Sequence, residues 1–251
     1  MKKSLLFAFP WLCVIALWYA VHYSGLVNPA LIPSPHVVLI QFWEQLNSGT
    51  LVVDVLVSTR RVMVGIVLGT LVAVPFGFLL GWYKMAHLFA DPLVNFFRAL
   101  PPIALIPLVV VYFGIGEAAK VVILFYAAFF SGVIVMYEGI SQISPIYVRV
   151  ARTLGASDGE IFRKVIIPLS LPHVLTAVRV EIGVVWATLV ASELIAAQNG
   201  LGALIQNASS FFRLDLIYLG IICIGTIALS MDFFLRKLSA RFLRWQDRIG
   251  A

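Results

Sequence analysis

The chain has 251 residues, of which 61% are hydrophobic and only 12% charged, with a mean hydropathy of +1.00. That mix excludes an ordinary soluble domain, and at about 20 residues per crossing it supplies chain for about six membrane spans and their connections. The 18 Lys and Arg against 12 Asp and Glu leave +6, an excess that in a membrane chain marks cytoplasmic loops and not a nucleic-acid surface; Cys13 and Cys223 both lie in apolar runs and build neither a disulfide framework nor a metal site.

The first apolar run, Leu5 to Val21, follows Met1, Lys2 and Lys3 and contains no small-residue cleavage site. It therefore reads as a retained first helix whose N-terminus stays in the cytoplasm. Pro29, Pro33 and Pro35 break up the stretch after Gly25, and His36 to Leu46 has the pattern of an amphipathic helix on the outer face of the membrane. No residue from Val62 to Tyr83 is charged, which predicts a second span. Within it Gly65, Gly69, Ala73, Gly77 and Gly81 recur at every fourth position, a small-residue strip that lets a neighbouring helix come close. Pro75 in the same span predicts a bend.

Asp91 to Gly116 holds a third span interrupted by Arg98, Pro101, Pro102 and Pro107. Such a sequence predicts broken or kinked backbone, tolerated only where protein or a wet cavity surrounds it. Gly114 and Gly116 form a short turn before the fourth span, Ala118 to Met136, and no strand-turn-helix unit accompanies them to suggest a nucleotide site. The fifth span runs from about His173 to Ala197 and the sixth from about Leu216 to Leu235. Lys2, Lys3, Lys84, Arg149, Arg152, Arg163, Lys164 and the tail residues Arg236, Lys237, Arg241, Arg244 and Arg248 then all fall inside, with Arg60, Arg61, Lys120 and Arg213 at or near the outside. The bias places both termini in the cytoplasm.

Between the fourth and fifth spans, Glu138, Arg149, Arg152, Asp158, Glu160, Arg163 and Lys164 make the largest polar loop. Ser144 followed by Pro145 is a helix start, and Val148, Ala151 and Leu154 share a face until Gly155 and Ala156 turn the chain. Ser157 with Glu160 is a capping box that starts a second helix, expected to end at Pro168. A docking element for a partner and a solvent-exposed connector are both compatible with this pattern.

At these residues the chain resembles the permease subunits of binding-protein-dependent ABC importers. Their cytoplasmic signature is Glu-Ala-Ala, three residues, Gly, nine residues, then Ile-x-Leu-Pro. Here Ala151, Gly155 and Pro168 keep its register, Val165 and Ile167 stand at the apolar positions, and Arg149 and Val150 depart from the opening pair. PSPHVV, STRRVMVG, FRALPPIALIPLVVVYFGIGEAAK and WATLVASELIAAQNGLGALIQNA extend the resemblance over nearly the whole chain, toward the nitrate, sulfonate and taurine branch and within it the taurine permeases.

The resemblance implies an all-α fold of six transmembrane helices, the type I importer permease of the bacterial inner membrane. Residues 1–56 would be an N-terminal helix and periplasmic loop, and residues 57–251 the transport domain, with a cytoplasmic coupling loop at 142–172. It further implies a homodimer in the bilayer, two cytoplasmic ABC ATPases that use ATP and magnesium, and a periplasmic binding protein that delivers the substrate. Ala151, Leu154, Gly155, Ala156, Asp158 and Phe162 would lie in a coupling helix seated in a cleft of the ATPase. The chain itself has no phosphate-binding G-x-x-x-x-G-K-[ST] loop, so the energy comes from elsewhere. Taurine is the implied substrate; nitrate, alkanesulfonates and thiamine-precursor pyrimidines stay open.

Ionisable groups inside spans are costly and normally face a bundle interior. Glu193 stands alone in an apolar run, and a cavity or gating role, a hydrogen bond to another helix and a wet interfacial position are all open for it. Arg98 is a second candidate for the pathway. Together the two would suit a zwitterion, Glu193 for the ammonium and Arg98 for the sulfonate. Arg61 is a cavity candidate too, though it is near enough to a membrane end to snorkel. Glu181, Arg179 and Glu138 sit close to the cytoplasmic side, where pairing or a satisfied interface is expected, and the spacing of Asp232 and Arg236 allows a local helical pair. No HExxH or GxSxG occurs, and His22, His36, His87 and His173 are scattered, which leaves a secondary transporter as the competing class.

Overall fold

The computed structural model describes residues 2–25, 28 and 31–243, with the backbone alone for 2–8, 195 and 196. Pro29, Arg244 and Arg248 lie outside the described residues. Among the described residues every regular element is a helix: α1 Lys2–Tyr23, α2 Pro35–Asn47, α3 Thr50–Trp82, α4 Lys84–Ala99, α5 Pro102–Phe113, α6 Glu117–Ser141, α7 Pro145–Thr153, α8 Asp158–Ile161, α9 Ile167–Ala196, α10 Leu201–Ser210 and α11 Leu214–Phe242. By length and composition α3, α6, the run Asp158–Leu194 and α11 can cross a membrane, and α4 with α5 makes a further span bent by 92°. The described apolar part of α1, Phe9–Tyr23, is shorter than a full crossing. The fold is thus an all-α multi-pass membrane fold with four to five such spans among the described residues, short of the expected six.

The bend between α4 and α5 falls where the sequence predicts it. Leu100 precedes Pro101, and Pro101 precedes Pro102, so both residues are pushed out of the helical region; their ψ angles are 119° and 128°. α3 instead continues through Pro75 as one helix of 33 residues. It begins well before Val62, because Asp54, Ser58 and Arg60 limit an apolar span without limiting a helix.

Pro168 does not end the second loop helix. α8 passes through a π-turn at Phe162–Ile166 into α9, and the Ile167 N–H reaches back five residues to the Phe162 carbonyl. The wider turn shifts the hydrogen-bond ladder just before the proline that lacks a donor.

The chain divides into two compact units, Met1–Ser58 with Ala197–Thr226 and Thr59–Ala196 with Ile227–Ala251. In the first, the Trp18 indole donates to the Pro33 carbonyl at 3.0 Å and stacks on Tyr218 with ring centres 5.5 Å apart. Asp54 and Ser58 of α3 accept the Gly200 and Leu201 N–H groups at 2.7 and 2.9 Å, which satisfies donors at the start of α10 that no helical carbonyl can reach.

In the second unit the glycine strip of α3 lies on α6. A Cβ added to Gly65 would stand 2.6 Å from the Leu124 Cβ, and Gly69, Gly77 and Gly81 lie equally close to Ala128, Met136 and Ile140. Partners advance by four residues together on both helices, so α3 and α6 run parallel with their backbones in close approach. α9 runs antiparallel to α6, with Glu181 against Gly132 and His173 against Gly139. Ala73, Leu80, Val94 and Val133 form one core cluster of this unit, and Met136, Ile140, Ile166 and Ala177 form another.

Candidate functional site

The polar loop folds as a capped corner. Ser144 accepts the Ile146 N–H at 3.5 Å to start α7, and Gly155 ends it in a left-handed conformation with φ of 83°. The Gly155 and Ala156 N–H groups donate to the Arg152 and Ala151 carbonyls at 3.0 Å, the arrangement in which glycine closes a helix without strain. α8 opens on a full capping box: the Ser157 N–H donates to the Glu160 carboxylate at 3.2 Å, and the Glu160 N–H to Ser157 Oγ at 3.4 Å. Arg152 bridges the turn to Asp158 at 3.0 Å.

This corner presents an apolar outer surface. Leu154 is 82% exposed, and Ile146, Tyr147 and Val150 are exposed beside it. Gly155 and Asp158 are exposed as well, while Ala151 and Ala156 are half-buried. Phe162 turns inward, edge-on to Phe78 and Trp82 with ring centres 5.5 and 5.6 Å away, and fastens the corner to α3.

The second polar group is buried between helices. Arg61 does not snorkel: it is 5% exposed and donates from Nη1 to Glu193 Oε1 at 2.6 Å. Its Nε donates to Glu117 Oε2 at 2.9 Å and its Nη2 to the other oxygen of the same carboxylate. Lys120, also buried, donates to Glu117 at 3.2 Å. Glu193 is 0% exposed. Charges survive there because each is paired; removing one partner of such a group costs about 3–5 kcal/mol. α3, α6 and α9 are thereby joined at one end.

Arg98 and Glu193 are not brought together. Arg98 is exposed and lines a cleft of about 340 Å3 with Leu100, Tyr126, Phe130, Ser131 and Val184, a set that does not include Glu193. Asp232 pairs with Arg236 four residues on, as the spacing allows, and also with Arg179 at 2.7 Å. Glu181 does not sit at an interface with water: it is fully buried and accepts from Thr70 Oγ1 at 2.5 Å. Sequence reasoning missed Glu117 as a partner of Arg61 and Lys120 as a second donor to Glu117. The signal available was a Glu and a Lys three residues apart at the start of an apolar helix, one turn from a glycine break.

Residues 65–244 match the family described as binding-protein-dependent transport system inner membrane component. The chain is 42% identical over 231 residues to a probable ABC transporter permease protein of Brucella abortus (strain 2308), covering 92% of this chain and 91% of that protein. It is 32% identical over 241 residues to the taurine transport system permease protein TauC of Escherichia coli (strain K12), covering 94% and 88%. An inward-facing structure of the MetNI methionine ABC transporter matches with a TM-score of 0.62 at 23% identity, over 75% of this chain and 95% of that one, a likeness of fold. A match over residues 65–244 and a relative at 42% identity along nearly the full chain establish that this protein belongs to the binding-protein-dependent transport system inner membrane components, as a non-catalytic permease subunit of an ABC importer whose ATP hydrolysis lies in separate subunits.

Proposed function

We propose that the chain crosses the bacterial inner membrane about six times with both termini in the cytoplasm, and that two copies form the translocation path of an ATP-driven importer. In this reading residues 1–56 are an N-terminal helix with a periplasmic segment, residues 57–251 are the transport body, and the loop 142–172 carries the coupling helix. A periplasmic binding protein delivers the substrate, and an ATPase sits below each copy.

The capped corner of α7 and α8 is the observation that carries the reading. Reciprocal caps and the Arg152–Asp158 bridge tie two short helices into one body, with Leu154 exposed at its tip. A body of that kind passes on a displacement that a slack connector would absorb. Ala151, Leu154, Gly155, Ala156 and Asp158 meet the ATPase in this proposal, and Phe162 relays the movement to Phe78 and Trp82 of α3.

The substrate proposed is a small sulfonate, taurine first. Identity of 32% to a taurine permease supports it, as does an arginine, Arg98, on an otherwise largely apolar cleft. Glu193, bound to Arg61, serves the path by holding α9 to α3 and not as a receptor for an ammonium group. Uptake of labelled taurine by the reconstituted complex with its own binding protein tests the substrate, with nitrate, alkanesulfonates and sulfate as competitors. Taurine uptake displaced by other sulfonates supports the proposal; uptake of nitrate alone would replace the substrate and leave the importer in place.

A further inference from the structure

The buried charge cluster is uneven in its exposure. Arg61, Lys120 and Glu193 are buried, while the Glu117 side chain is 53% exposed. Two cations converge on that carboxylate, the Arg61 fork through Nε and Nη2 and the Lys120 ammonium at 3.2 Å, and Glu117 is itself the first residue of α6. A guanidinium fork fits two oxygens of one oxyanion, and the amide end of a 25-residue helix adds partial positive charge. Of these four side chains, Glu193 offsets one cation from the far side of Arg61. With the Glu117 carboxylate swung away, one net positive charge faces the vacated place. Room exists for that swing, since the Glu117 side chain is half exposed where it leaves the cluster.

We propose that Arg61, Lys120 and the N-terminus of α6 form an oxyanion-binding station for the head group of the transported solute, with the Glu117 carboxylate as its exchangeable internal occupant. This rests on the importer reading above and specifies the solute's head group as a single sulfonate or carboxylate. The substrate displaces Glu117 from the Arg61 fork on arrival, and Glu117 displaces the substrate as it leaves, so the fork always holds an oxyanion.

The test measures binding of methanesulfonate to the purified permease–ATPase complex in nanodiscs, without transport. Glu117→Gln keeps the shape and removes the competing charge, so it should bind methanesulfonate about tenfold more tightly than the unaltered complex. Adding Lys120→Gln should take that gain away. Lys120→Gln alone, which keeps the Arg61–Glu117 pair, should bind more weakly than the unaltered complex and reads the same station where Glu117→Gln does not assemble. No gain with Glu117→Gln, a gain that survives loss of Lys120, or unchanged binding in Lys120→Gln overturns the station. Failure of taurine uptake with the gain intact would instead remove the substrate name and leave the station standing.

Discussion

Gly132 is a tight residue-level constraint because two other helices meet it at once. A Cβ there would run into the Glu181 carboxyl on one side and stand 2.9 Å from the Ala73 methyl on the other. The Ala73 methyl belongs directly to its backbone and cannot rotate out of the way, so three helices would have to move apart. Gly132→Ala should therefore lower stability by about 1–3 kcal/mol, the usual scale of overpacking. Thermal unfolding in nanodiscs checks this against Gly183→Ala, whose added Cβ meets nothing within 4 Å and should leave the midpoint unchanged. Equal midpoints for the two variants would contradict the close approach of α3, α6 and α9. The small-residue strip on α3 was legible because its repeat lies within one helix. The burial of Glu181 was not, because it depends on Thr70, 111 residues away, and on Gly132 of another helix.

Among the elements, the α7–α8 corner was the most legible, since its caps are local chemistry: Ser144 reaches two residues on and Ser157 three. The joint between α8 and α9 was not. A proline reads as a helix stop, yet the chain passes through a π-turn just before Pro168 and stays helical. The partners of Arg61 were hidden for a different reason: they are 56 and 132 residues away, beyond any local pattern. The corner makes a prediction of its own. Gly155 has φ of 83°, where a β-branched side chain is strained, while the space around it is open. Gly155→Val should thus distort the turn without filling a cavity. Basal ATP hydrolysis of the assembled complex should persist, and stimulation by loaded binding protein should fall by about tenfold or more, if one pushes against the other through this turn. Undiminished stimulation would detach coupling from Gly155.

For the whole molecule, surface chemistry decides whether one copy is enough. α4 and α5 expose Phe89, Phe96, Val111 and Tyr112, which hydrocarbon accepts readily. Arg98 is exposed on the same stretch, at the bend before α5, and a cation facing lipid is expensive. Backbone leaves the helical path at Leu100 and Pro101, and irregular backbone at membrane depth needs protein or water beside it. Both demands are met if a second copy lays the same surface across a two-fold axis, because an isologous interface brings both bends and both Arg98 clefts to the centre at once. Water confined between the copies would then solvate the two guanidinium groups, and the apolar residues flanking them would seal the seam. Native mass measurement of the complex extracted in lipid should accordingly find two permeases for two ATPases. A single permease with two ATPases would leave Arg98 and the broken backbone facing lipid, and would require a different partner to cover them.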